Sequence, residues 1–82
     1  MEPETRTCEG GGLPEGRYAN YFEIGHNAFE FLLDLGQAYP EGERAYIHTR
    51  IITGPKYAKA LRDLLGESID RYERTFGIIP KD

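Results

Sequence analysis

What this sequence lacks bounds it before anything present does. A single cysteine, Cys8, has no partner for an internal disulfide, which fits a reducing compartment. No run of about 18 apolar residues occurs, so no membrane-spanning helix is expected. The start, Met1-Glu2-Pro3-Glu4, is acidic where a secretory leader would be basic and then apolar, and the expected location is cytoplasmic. There is no basic surplus either. Ten Lys and Arg face fourteen Asp and Glu, a net charge of −4, which gives little overall field to attract nucleic acid or anionic lipid.

Catalytic and metal-binding spacings are missing too. Zinc needs at least three convergent ligands. The candidates Cys8, His26 and His48 show no Cys-x-x-Cys, His-x-x-x-His or Glu-x-x-His pattern. No metal and no cofactor are expected. Ser68 has no base at a motif spacing, and the Gly10-Gly11-Gly12 run lacks the lysine and helix of a phosphate-binding loop. Glu23, Glu30 and Asp34 fall on one strand face, but paired carboxylates need a cleft to shift their pKa values. A solvated charged face explains them, and no enzyme is expected.

What is present reads as one small α+β domain. Eighty-two residues allow a single core, and a hydrophobic share of 39% suggests that part of the chain lies outside it. Residues 1–16 carry two prolines, a glycine run and only Leu13 as a sizeable aliphatic side chain, so a disordered acidic tail is expected. Four Glu against Arg6 give that tail −3, while nine Lys and Arg against ten Asp and Glu leave the rest at −1. A domain over 17–79 follows, with 80–82 as the chain end.

From Tyr18 the pattern has period two. Tyr18, Asn20, Phe22 and Ile24 share a face, and beyond Gly25-His26-Asn27 so do Phe29, Phe31, Leu33 and Leu35. A turn centred on His26-Asn27 would set Ile24 against Phe29, Phe22 against Phe31 and Glu23 against Glu30. Pro40-Glu41-Gly42 marks a second turn. A third strand is expected over Arg44 to Thr53, its odd positions, Ala45, Ile47, Thr49, Ile51 and Thr53, facing the core.

Pro55 then suits a first helical turn. Tyr57, Ala58, Leu61, Leu64, Leu65, Ser68, Ile69, Tyr72 and Phe76 recur at three- and four-residue spacing as one broad apolar stripe. Glu67–Arg71 and Asp70–Arg74 are favourable i,i+4 pairs. Gly77 closes the helix and Pro80 prevents its resumption. Gly66, in mid-helix, costs about 1 kcal/mol against alanine; it is either a tolerated imperfection or a place where another backbone comes close.

The expected fold is therefore a three-stranded antiparallel sheet followed by one C-terminal amphipathic helix. The helix would pack on the face made by Phe22, Ile24, Phe29, Phe31, Leu33, Ile47 and Ile51. Tyr18-Ala19-Asn20, Phe31-Leu32-Leu33-Asp34, His48-Thr49-Arg50-Ile51-Ile52, Pro55 before Ala58-Lys59, and Tyr72-Glu73 before Phe76-Gly77 together resemble a family of short bacterial proteins, domain of unknown function 3467. The likeness runs from about Tyr18 to Ile79, with Leu35 where an aromatic residue is the family's habit. It implies a shared ββ–β–α domain and supplies no activity and no site residues.

Two binding functions remain. A helix covers one face of a sheet, leaving Tyr21, Leu32, Tyr46, His48, Arg50 and Ile52 on the other, a mixture suited to a subunit interface. So small a domain also gains from association. A homodimeric interaction or scaffold module is expected, with room for an unidentified protein partner. The alternative is a single-stranded nucleic-acid-binding domain using Arg44, Tyr46, His48 and Arg50 along one strand face. The three carboxylates on the same face weigh against it.

Overall fold

The computed structural model describes residues 14–41 and 44–81. The expected tail falls mostly outside them, as do Cys8 and Gly42. Three strands, β1 (Tyr21–His26), β2 (Phe31–Ala38) and β3 (Ala45–Thr53), precede one helix, α1 (Pro55–Phe76). The strands form an antiparallel sheet in the order β1-β2-β3. This is the α+β arrangement that the alternating and then helical patterns predict. No helix among the described residues is long and apolar enough to cross a membrane.

The first hairpin differs from the expected register. Phe22 pairs with Leu35, Glu23 with Asp34, Ile24 with Leu33 and His26 with Phe31. A four-residue connection over 27–30 replaces the tight turn at His26-Asn27. Asn27 dictates it: its Oδ1 accepts from the amides of Phe29 (2.8 Å) and Glu30 (2.9 Å), while its own amide donates to the Glu30 carbonyl (3.0 Å). Such side-chain mimicry of a turn is what Asn offers. Phe29 is consequently outside the sheet and 83% exposed, not a core residue, and Glu30 does not face Glu23. The shift of four positions is even, so Phe22, Ile24, Phe31, Leu33 and Leu35 still share one face, the inner one.

On β3 the alternation is interrupted. Leu35 pairs with Thr49 but Gly36 pairs with Ile47, leaving His48 as the extra residue of a β-bulge. Each residue before it changes face. Ile47, expected in the core, lies with Gly36 on the outer face, and Tyr46 joins Gln37 on the inner one. Gly36 permits this approach. A Cβ there would strike the Tyr46 carbonyl and lie 2.9 Å from the Ile47 Cα. The chain before β1 is fastened across the same place. Asn20 donates its amide to the Gly36 carbonyl and brackets the Ala38 backbone with both side-chain polar atoms (2.8 and 3.3 Å).

The helix begins at Gly54-Pro55, without a side-chain cap, and ends at Gly77, whose φ of 105° only glycine adopts easily. Glu73 seals that end, its carbonyl taking the Gly77 amide (3.0 Å) and its carboxylate the Ile79 amide (2.8 Å). The expected Glu67–Arg71 and Asp70–Arg74 pairs do not close, whereas Arg62 meets Asp63 at 3.1 Å.

The expected packing of this helix on the sheet is not formed. Extensive contacts join strand to strand, and α1 makes only marginal contact with any strand. Ile24 is 60% and Leu65 57% exposed, and among the described residues no hydrophobic side chain is buried.

Candidate functional site

Two surfaces stand out, one polar and one apolar. The polar one runs across the outer face of the sheet, where Glu23, Asp34 and Arg50 are cross-strand neighbours in one row. The Arg50 guanidinium donates to both Asp34 oxygens, through Nε at 2.8 Å and Nη2 at 2.9 Å. A two-pronged contact of this kind matches fork to carboxylate. Among the described residues Asp34 is the most enclosed charged group, 7% exposed. Its hydrogen bonds from Arg50 hold its pKa below the usual carboxylate value against the opposing effect of desolvation. Beside it, the Tyr21 hydroxyl donates to Glu23 Oε2 (2.6 Å), and this bond raises the phenol's pKa.

His48, at the bulge, is also engaged. Its Nε2–H donates to the Tyr18 carbonyl (3.0 Å), which leaves Nδ1 to accept from the Thr49 hydroxyl (2.7 Å). Arg17 reaches the His48 carbonyl at 3.3 Å. His26 is the last residue of β1 and stacks on Phe31 with ring centroids 5.3 Å apart. Ser68 lies on the exposed apolar stripe of α1. Among the described residues no three His, Cys, Asp or Glu side chains converge as metal ligands.

The six residues expected at an interface are thus dispersed. Tyr21, Leu32, Arg50 and Ile52 keep the outer face. Tyr46 crosses to the inner side, where its hydroxyl lies 2.9 Å from that of Tyr39, and His48 is held in the bulge. The same bulge breaks up the strand-face row of Arg44, Tyr46, His48 and Arg50 expected for nucleic acid. Tyr46 and Arg50 point to opposite sides, and Arg50 is committed to Asp34.

The apolar surface is larger. Between the inner face and the first half of α1 runs a groove of about 510 Å³, lined by Ile24, Phe31 and Leu33 from the sheet and Ala58, Leu61 and Leu65 from the helix, with Lys59 and Arg62 at its edge. The stripe continues beyond it through Leu64 (64% exposed), Ile69, Tyr72 and Phe76 (72%). Sequence reading assigned these residues to a closed core. It also passed over Gly36, although glycine inside a strand signals a bulge or a close backbone, and over Asn20 and Tyr39, which carried no such signal.

No curated protein and no solved structure matches the chain. One family model does, described as a protein of unknown function (DUF3467), and it spans residues 2–81, taking in the N-terminal stretch as well as the sheet and helix. With nearly its whole length matched, the chain belongs to that family.

Proposed function

We propose that this protein is a non-enzymatic, self-associating interaction module whose hydrophobic core is completed by a second copy of itself. The observation that carries the reading is the lack of any buried hydrophobic side chain among the described residues, beside an amphipathic helix of 22 residues and an apolar sheet face. Ordering a residue's backbone costs about 1–2 kcal/mol, and a single copy with this surface exposed has too little burial to offset that. An exposed apolar surface of this extent marks an association site. A role without catalysis is supported by how the polar groups are used: Asp34, Arg50 and His48 are spent on bonds that tie strands or connections together, and Tyr21 on a bond to Glu23 within β1. A reducing, cytoplasmic setting suits this reading.

The emphasis moves from the outer sheet face to the groove and helix stripe, where the uncovered area is greater. Leu64→Asp tests it. That side chain is solvent-facing in one copy and outside the groove, so a self-sufficient monomer would tolerate the change. Light scattering at micromolar concentration is expected to give a dimer or larger for the unmodified chain and a smaller species for the variant. A monomeric, fully structured unmodified chain refutes the proposal.

A further inference from the structure

Resting on the self-association proposed above, we infer that two copies join through the free edge of β3, running antiparallel, so that two three-stranded sheets become one with both inner faces on the same side. β3 ends the order β1-β2-β3, and among the described residues no strand or helix runs along its far side. The backbone of Thr49–Thr53 has no partner there other than β2.

An unpaired edge is a template for another strand, and proteins ordinarily blunt theirs with charge, proline, shortness or a bulge. The two edges of this sheet differ in that respect. β1 has 6 residues and sets Glu23 and Gly25 on its outer side. β3 has 9. Its first half is blunted by the bulge, where Arg17 and Tyr18 tie down His48. Its second half, Thr49-Arg50-Ile51-Ile52-Thr53, contains no proline, lysine or carboxylate and is rich in β-branched residues. Ile51 points inward and Ile52 outward, 45% and 59% exposed. A further strand alongside gives both of them cross-strand neighbours at once, which a helix on one face does not. The groove also takes its sheet lining from β1 and β2 alone, so α1 leaves Ile51 bare in its own copy.

A second copy fits this edge because the edge complements itself. Arg50, the one charged residue in Thr49–Thr53, is neutralised within its own copy by Asp34. Two β3 edges therefore meet without repulsion, whereas β1 against β1 brings Glu23 toward Glu23. Pairing β3 with β1 leaves a free edge at either end and propagates into a filament, while β3 with β3 closes as a dimer. A two-fold axis perpendicular to the sheet makes that pair antiparallel and keeps the inner faces together. Parallel pairing of the same edges turns one sheet over and parts the two apolar faces.

Gly25, Leu32 and Ile52 share one row of the outer face, so Gly25→Lys and Ile52→Lys place the same charge at the same level on opposite edges. In sedimentation of the full-length chain, Ile52→Lys is expected to raise the dimer dissociation constant about tenfold or more, by juxtaposing like charges. Gly25→Lys is expected to leave it unchanged. Nitroxide labels on a Cys8→Ser background read the same edge without added charge, whether or not Ile52→Lys folds. With strands about 4.8 Å apart, labels at Ile52→Cys in the two copies are expected within about 15 Å, broadening the spectrum, and labels at Glu23→Cys, five strand spacings apart, at about 24 Å. Equal responses to the two lysines, or labels closer at Glu23 than at Ile52, overturn the β3 edge and leave self-association standing. A monomeric unmodified chain overturns both.

Discussion

Two strand glycines, Gly25 and Gly36, are expected to respond to alanine with opposite signs. Each lies in a strand, and in each alanine would lower the entropy of the unfolded chain, a gain of about 0.5–1 kcal/mol where the backbone accepts it. At Gly25 a new Cβ meets nothing within 4 Å, so that gain is expected in full. At Gly36 it runs into the Tyr46 carbonyl, with the carbonyl carbon at 2.8 Å and the Ile47 Cα at 2.9 Å. All three atoms are backbone, so no rotamer change relieves them. Either the bulge at His48 opens or β3 moves away from β2. Inserting one carbon into a site that cannot yield costs about 1–3 kcal/mol. Net of the entropy gain, a loss of up to about 2.5 kcal/mol is expected, against the 5–15 kcal/mol typical of a folded domain. Urea titration at fixed protein concentration, with the slope compared between variants, measures both effects. A Gly36→Ala chain as stable as Gly25→Ala would refute the bulge.

Other expectations concern the polar bonds. Asp34 has its pKa depressed by Arg50, so the pair's contribution is complete above the ordinary value of 3.8 and is lost as pH falls through the lower folded value. Asp34→Asn is expected to lower the urea midpoint at neutral pH and to flatten its fall in acid, and an unchanged acid profile contradicts the pairing. Asn27→Ala leaves the Phe29 and Glu30 amides without their acceptor and is expected to cost about 1–2 kcal/mol, read by thermal melting, with Asn27→Asp retaining most of it. The Tyr39 phenol, raised above 10.0 chiefly by its hydrogen bond to Tyr46, contributes stability that is present below pH 10.0 and lost as pH rises through the folded value. Tyr46→Phe is expected to shift one phenol's absorbance titration downward, and a superimposable curve removes the bond.

The helix was legible almost to the residue, because its signals are local: a 3.6 period, Pro55 at the first turn and Gly77 beyond the last. The sheet was legible as three antiparallel strands, and its register was not. Period-two patterning specifies only which face a residue occupies, and a slip of two or four positions preserves that. The real register depends on Asn27 claiming two amides, a choice that alternation cannot express. The bulge was hidden for a similar reason. Either parity places apolar residues on both sides of β3, since Tyr46 and Ile47 exchange faces without a visible penalty in the pattern. Gly36, the partner that makes the bulge possible, was the one mark left in the sequence.

An amphipathic helix announces that it will be covered and is silent about by what. The same stripe serves a helix lying on its own sheet and one completed by a neighbour, because burial depends on area and is indifferent to which chain supplies it. Here what stays uncovered lies on both elements: Leu64, Tyr72 and Phe76 of α1 and Phe22 and Ile51 of the inner sheet face are all exposed and outside the groove. Twenty-two helical residues span about 33 Å. Strands of 6 to 9 residues, three abreast, offer a patch about 20–30 Å long and less than half as wide. With helix and sheet of similar length and both left exposed, the proposed second copy is what would cover them. The outer face, closed by the Asp34–Arg50 pair and emptied of Tyr46 by the bulge, has less need of cover than the inner one.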